Sequence, residues 1–400
     1  MDHAAAKYVS DGVLPMNVCY LGAAWMEKLE ESFQFDRPLP KLKRRYPFGT
    51  NLAVGLAALG HHVTVVVLSM TVGEMVRYSS QECDVYIVPE RRTRYQLPTL
   101  YCKEVERLRK VVAEVKPDVI LANWTYQYAR AGVTSGFPCL VVARDSPWRC
   151  LWRIRSFAFL VKTLYSQLFV FPKIKHLSTI SPHMVEDLRR FNRYKGDIKV
   201  IPNGIKADLN FKKDIRKDAK TILCVSEWNP LKNIKTLFRA FAMLRERHPD
   251  WRLLAAGNCI DDAVAGRWME NNGIPSDGIE LLGYKTQAEI KELLCNDIDV
   301  FCSPTLEESF GQVFLEAMVH GVPCIGGKKS GAVPWVIGDG GVVCDVTKPE
   351  TLADCIERVM NDWELRKRLS ESGLRRVRDM FAIESTIESY EKALVEIAKK

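Results

Sequence analysis

Short apolar runs of strand type alternate with helix-period runs along most of the chain. In the first half, Met16 to Leu21 is apolar and ends at Gly22, and Val63 to Leu68 is β-branched and apolar on both faces. Strands covered on both faces of a parallel sheet have this look. Between the two, Phe48 to Leu59 carries a helix pattern that Gly60-His61-His62 closes. Strand, helix, strand at this spacing predicts a βαβ unit of a doubly wound sheet. Ala23 to Pro47 reads as a long polar insert within that unit. A helix over about Lys103–Val115 then precedes strands at Pro117–Trp124, Phe137–Asp145 and Leu177–Ser181.

The second half repeats the alternation. Strands are expected at Thr221–Ser226, Trp251–Asn258 and Ile279–Tyr284, with a helix carrying Leu237, Ala240, Phe241 and Leu244 after the first. From Pro349 the pattern is helical to the end. Four hundred residues exceed one typical core and predict two domains of roughly 150–200 residues each. Pro202-Asn203-Gly204 fixes a sharp turn between them. The expected division is a loose tail at 1–15, a first domain over 16–200 and a second over 201–383.

One stretch, Phe301 to Pro323, concentrates the chemistry. Asp299 to Cys302 is a short strand stopped by Ser303-Pro304, because proline cannot continue the ladder. A polar loop, Leu306-Glu307-Glu308-Ser309, leads through Phe310-Gly311 into a helix pattern that Gly321 and Pro323 stop. Glycine at the loop-to-helix junction leaves the first backbone N–H groups open to an anion. Glu308 and Glu316 flank that place, with seven residues between them. Phosphate oxygens suit the N–H donors, and carboxylates suit the hydroxyls of a ribose or a sugar.

The stretch resembles the signature of family-4 retaining glycosyltransferases: S-P, then E-x-F-G, then L-E-A-M-x-x-G-x-P, with the two glutamates in E-x7-E spacing. The resemblance implies a GT-B fold, two Rossmann-like doubly wound α/β domains facing each other across a cleft. It implies a last helix, 384–399, that crosses back onto the first domain. Glu308 matches the glutamate near the donor sugar, and Glu316 the one that holds the ribose; Ser309, Phe310, Gly311 and Gln312 lie between them on the donor side. Lys232 matches a lysine that contacts the diphosphate, while Glu227 stands where an arginine is usual. Gly49 takes the place of a glycine near the diphosphate, with Phe48 where its partner glycine is usual. Gly257, Tyr284 and Lys285 fall at strand ends that meet the donor, the last two at the base. Arg144 stands where many members have a histidine; a donor phosphate or an acidic acceptor would suit its planar fork, and so would a structural ion pair. Trp335 occupies the place of an acid in a G-x-P-E loop. The catalytic set is therefore expected to be Glu308, Arg144 and Lys232.

Composition adds partners and compartment. The twelve cysteines are scattered, without C-x-x-C pairs, which favours reduced thiols and a cytoplasmic protein. Asp297-x-Asp299 resembles a metal-binding D-x-D, but it precedes a buried strand, and neither a metal nor another cofactor is expected. Residues 1–200 hold 29 Lys and Arg against 18 Asp and Glu, and residues 201–400 hold 28 against 31. The first half should thus face something anionic. With no nucleic-acid motif, an anionic membrane is the favoured surface. Pro147 to His176 has six basic residues, seven aromatics and no acid. Trp148, Arg149, Trp152, Arg153 and Arg155 are its expected membrane contacts, on the inner face of the cell membrane; a packed helix pair or a dimer interface is the alternative. The donor is expected to be a UDP- or GDP-sugar and the acceptor a glycan or lipid-linked sugar, as in cell-surface polysaccharide or glycolipid synthesis. A nucleotide-sugar epimerase of the same fold, or an inactive nucleotide-sugar-binding protein, are the competing functions.

Overall fold

The computed structural model describes residues 13–43, 46–154, 156–208, 211 and 213–399, without the side chains of Arg153 and Ile154. Residues 1–12 of the expected tail and part of the basic run at 41–45 lie outside the described residues. The chain divides into two units, residues 1–204 with 384–400, and residues 205–383.

The first unit is built on eight strands: β1 (Asn17–Leu21), β2 (His62–Ser69), β3 (Val76–Ser79), β4 (Cys83–Pro89), β5 (Val119–Asn123), β6 (Cys139–Ala143), β7 (His176–Thr179) and β8 (Ile198–Val200). Their order is β3-β4-β2-β1-β5-β6-β7-β8. All neighbours run parallel except β3, which is antiparallel to β4. From β1 the chain winds first one way, to β2, and later the other, to β5. That reversal opens a crevice beyond the carboxyl ends of β1 and β5.

The polar insert is not featureless. It holds a helix, Met26–Ser32, whose Met26 and Leu29 are buried. Beyond the helix, Arg37 donates to the Arg77 carbonyl at 2.7 Å and stacks over Tyr78. The insert is therefore pinned to β3, an edge strand whose four residues are too few to show a period.

The helix Ile383–Ala398 packs within the first unit from Glu384 onward. A Cβ on Gly55 would lie 2.2 Å from Ile387 Cδ1, so the helix Pro47–Ala58 needs glycine there to meet it. Phe48 packs edge-on against Tyr390. His61, expected only to end a helix, joins three segments. Its Nδ1 accepts from the Met16 amide at 3.1 Å, so Nε2 carries the proton and donates to Glu391 at 3.0 Å.

The second unit has a wholly parallel sheet of β9 (Thr221–Val225), β10 (Arg252–Ala256), β11 (Ile279–Gly283), β12 (Val300–Cys302), β13 (Cys324–Gly327) and β14 (Gly341–Cys344). The order is β11-β10-β9-β12-β13-β14. Ile222, Leu253, Val300 and Ile325 carry the sheet's apolar face into a core with Leu237, Phe238, Phe241 and Ile356. Here the winding reverses between β9 and β12, so the loops after these two strands flank the crevice. Three helices, Pro349–Asn361, Trp363–Met380 and Ile383–Ala398, complete the chain.

Candidate functional site

The site of the second unit forms at that reversal. After β9, Asn229 accepts from the amides of Leu231 and Lys232, at 2.9 and 3.2 Å, closing a short turn that aims Lys232. After β12, Thr305 and Leu306 donate to the Leu231 carbonyl at 3.2 and 2.7 Å, tying the second loop to the first. Asn233 donates to the carbonyls of Pro304 and Val346, which fixes the base of both. The outcome is a contact that sequence reasoning did not foresee: Lys232 Nζ meets Glu308 Oε1 at 2.5 Å. Both side chains retain partial exposure, 29% and 16%. The Glu308 backbone is held from behind, where the Ala332 amide donates to its carbonyl at 2.9 Å.

Gly311 sits at the amino end of the helix Gln312–Met318 with φ of 96°, a left-handed conformation. A Cβ there would lie 2.9 Å from the Phe314 ring. Glycine is required on both counts. The amides of Gly311, Gln312 and Val313 have no partner among the described residues. The helix has only seven residues, so these N–H groups, rather than a long macrodipole, are what the junction offers an anion.

Glu316 lies on the same helix. Its carboxylate has no hydrogen-bond partner among the described residues, and burial raises its pKa to about 7. A carboxyl group half withdrawn from water without a donor is unfavourable for the unliganded protein. It is a ready acceptor for a hydroxyl pair.

Gly257, at the end of β10, has φ of 138°, and a Cβ would fall 1.6 Å from the Ser226 carbonyl oxygen. It closes the strand end against the neighbouring loop. Tyr284 follows β11 and is 66% exposed. Lys285 pairs with Glu289 at 3.1 Å, inside the capping box that starts the next helix. Ser309 and Gln312 lie beside the Gly311 junction. The Phe310 side chain is buried, edge-on to Trp335 and Phe381. Asp299, half of the D-x-D, is also spoken for. It accepts from Arg216 and from the amides of Lys220 and Thr221, all at 2.8–2.9 Å.

In the first unit, Gly49 is closely packed: a Cβ would meet the Tyr20 hydroxyl at 2.4 Å and the Ala23 carbonyl at 2.5 Å. Arg144 is buried, with its guanidinium 3.7 Å from the Phe48 ring centroid. Its Nε donates to Asn123 at 2.7 Å and Nη1 to Asn203, while Nη2 is buried without a partner among the described residues. Phe48, which stands where a second glycine is usual, is thus the platform on which the arginine stacks.

The basic, aromatic segment folds as helices Pro147–Ile154 and Phe157–Tyr165 with a further turn to Val170. Trp148 donates to Gln167, and Arg149 forks onto Asp187 at 2.5 and 2.6 Å, so both are held within the unit. Trp152, Phe157 and Leu168 are 65%, 78% and 62% exposed. Arg155 and the Arg153 side chain lie outside the described residues. No helix among the described residues is long and apolar enough to cross a membrane.

Residues 206–376 match the glycosyl transferases group 1 family, and residues 49–204 match the glycosyl transferase 4-like domain. The chain belongs to the family-4 glycosyltransferases with the GT-B fold. Among curated relatives it is 27% identical over 234 residues to N-acetyl-alpha-D-glucosaminyl L-malate synthase of Bacillus anthracis, spanning 56% of this chain and 60% of that one. Among solved structures it is similar to a sucrose-phosphate synthase from Thermosynechococcus elongatus, with TM-score 0.73, 18% identity and coverage of 94% and 97%. It is also similar to Anabaena Alr3699/HepE in complex with UDP and glucose, with TM-score 0.65, 16% identity and coverage of 95% and 100%.

Proposed function

We propose that the protein is a retaining glycosyltransferase that moves a sugar from a nucleoside-diphosphate sugar, UDP- or GDP-linked, to a glycan or lipid-linked acceptor. The observation that carries this reading is the convergence of Lys232, Glu308 and the Gly311 amides at the winding reversal of the second unit, with the partnerless Glu316 on the following helix.

Glu316 accepts from the ribose hydroxyls, which supply the donors it lacks. The diphosphate takes the open amides and draws Lys232 away from Glu308. That exchange releases the Glu308 carboxylate to orient the donor sugar. As the bond to the sugar breaks, charge grows on the leaving phosphate, and Lys232 and the amides stabilise it most at the transition state. The reading gives no residue the part of nucleophile and requires no metal. Arg144, held by two asparagines on Phe48, keeps one buried N–H group for a charged or hydroxyl group of the substrates. The UDP and glucose bound to the Anabaena structure support the choice of donor.

The exposed Trp152, Phe157 and Leu168, in a segment without acids, support a peripheral site on an anionic membrane from the cytoplasmic side. A lipid-linked acceptor would be met there.

The test is a thermal-shift panel of nucleoside diphosphates with wild type and Glu316→Ala, followed by turnover of the matching nucleotide sugar. A ligand at a hundredfold excess over its Kd adds about 2.7 kcal/mol. One base should stabilise wild type and not the variant, and the product anomer should keep the donor's configuration. Inversion at the anomeric carbon, or a new nucleotide sugar formed without acceptor, refutes the assignment.

A further inference from the structure

The second unit contains a cavity of about 580 Å³ on the side away from the donor chemistry. One wall is the segment 213–215. The other is a face of the helix Trp363–Met380, whose positions 363, 367, 370, 374 and 378 recur at helix spacing. The cavity lies at the carboxyl end of the helix Gln312–Met318. A Cβ on Gly321, just past that end, would sit 2.9 Å from Lys213 Cβ and 3.0 Å from Ser370 Oγ, and both residues line the cavity. The open amides are at the other end of the same helix, about 10 Å away at 1.5 Å for each of its seven residues.

The charges decide the ligand class. Lys213, Lys367, Arg375 and Arg378 line the cavity against two acids, Asp214 and Glu371. No ion pair joins these acids to these cations among the described residues. Arg378 is in the last turn of its helix, where the dipole favours a cation. Lys367 is in the second turn, where it does not. Its ammonium rests 5.5 Å from the Trp363 ring centroid and makes no ion pair among the described residues, although Glu371 is one turn on. Arg375 donates to Ser372 Oγ at 2.9 Å and lies 3.8 Å from Asp339. Lys213 donates to the carbonyls of Leu294 and Cys295 at 2.6 and 3.2 Å, which leaves one of its three N–H groups. Burial pulls its pKa below the ordinary lysine value. A partly buried ammonium that meets carbonyls and no carboxylate is completed by an anion.

Size narrows the class. The volume falls in the roughly 300–1,000 Å³ range of small-molecule sites, far more than an inorganic anion fills. Trp363, Ile215 and Leu374 supply apolar wall for the remainder. We propose that this cavity binds an organic phosphate, its phosphoryl group taken by the lining cations and its body laid along Trp363 and Leu374. The site is separate from the donor site and does not depend on the glycosyl-transfer reading.

The test is ligand-observed saturation-transfer NMR on the full chain, with phenyl phosphate as the probe and inorganic phosphate and benzyl alcohol as competitors. Phenyl phosphate should bind wild type, and each competitor should displace it only at roughly tenfold or greater excess, because each offers half of the recognised chemistry. The charge reversals Lys367→Glu and Arg375→Glu, made together at exposed positions, should weaken the probe about tenfold or more. Glu371→Lys, which adds a cation to the same face, should tighten it severalfold. Lys232→Ala, which removes the cation of the donor site, should leave it unchanged. Thermal midpoints like that of wild type establish that the variants fold. Absence of phenyl phosphate binding to wild type, displacement by an equal concentration of inorganic phosphate, indifference to the paired reversals or to Glu371→Lys, or loss of binding in Lys232→Ala overturns the proposal.

Discussion

Glu316→Gln should make the unliganded protein more stable at neutral to alkaline pH while removing its response to nucleotide. In the folded protein, burial lifts the Glu316 carboxyl from 4.5 to about 7. The folded state therefore holds the proton more tightly than the unfolded chain does. For a carboxyl raised in this way, the favourable contribution is full below the unfolded value and is lost as pH rises through the folded one. Well above that range the folded state carries a penalty of about 3 kcal/mol, from 1.36 kcal/mol for each pKa unit. Solvent reaching a half-buried side chain brings this nearer to roughly 1–2 kcal/mol. Glutamine fills the same space without the charge, so the penalty disappears. At roughly 2–4 °C per kcal/mol for a domain of this size, the variant should melt several degrees above wild type at about pH 8. The two should coincide at about pH 4, where both side chains are neutral. Wild type should also bind nucleoside diphosphate more tightly as pH rises through 7, since ribose hydroxyls donate best to the ionised form. Scanning calorimetry with and without nucleotide, across that range, reads all of these. A variant that is less stable than wild type at every pH would mean that Glu316 has an unseen partner and is structural.

Two further changes probe the frame around the site. Gly257→Ala drives a Cβ into the Ser226 carbonyl, a backbone atom that cannot move aside, and should cost more than about 3 kcal/mol; urea unfolding checks it, and a midpoint like that of wild type refutes it. Asp299→Ala strands Arg216 and the amides of Lys220 and Thr221 and should cost roughly 3–5 kcal/mol; an unchanged unfolding midpoint would return Asp299 to the list of candidate ligands.

The alternation of strands and helices was legible because strands covered on both faces are continuous apolar runs, and both sheets consist mainly of such strands. The run Cys83–Pro89 shows the same pattern and was nonetheless passed over, as were the short strands Cys324–Gly327 and Gly341–Cys344; other elements that escaped were set by tertiary contact. Val76–Ser79 is four residues long and has meaning only beside β4, and the helix at Met26–Ser32 is held by its burial of Met26 and Leu29. At the site, spacing placed Glu308, Glu316 and Gly311 on one loop and helix. It had no means of showing that Lys232, 76 residues earlier, lies against Glu308, because that contact depends on which strands become neighbours at the winding reversal. Gly49 and Gly257 show the converse. Each glycine was visible, but whether the missing Cβ admits a ligand or a neighbouring backbone is decided by packing alone.

The departures from the family pattern bear on whether the site works, and Trp335 is the one to test. Its ring stands edge-on to Phe381 at 5.4 Å and to Phe310 at 6.1 Å, and its carbonyl accepts from Arg376. An acid in that place would lose two aromatic contacts and set a carboxylate against apolar rings. Edge-to-face pairs contribute about 0.5–1.5 kcal/mol each beyond the area they bury, and an unpaired charge adds several more. Trp335→Glu, though it restores the usual residue, should therefore destabilise the second unit by several degrees and should not strengthen nucleotide binding. The same logic covers Arg144, whose stacking on Phe48 shows two departures fitted to each other. Substitutions that merely decay leave cavities, whereas both of these side chains are packed against aromatic rings. If Trp335→Glu instead raises nucleotide affinity at unchanged stability, the tryptophan is a lost ligand contact, and a binding protein without turnover becomes the better account.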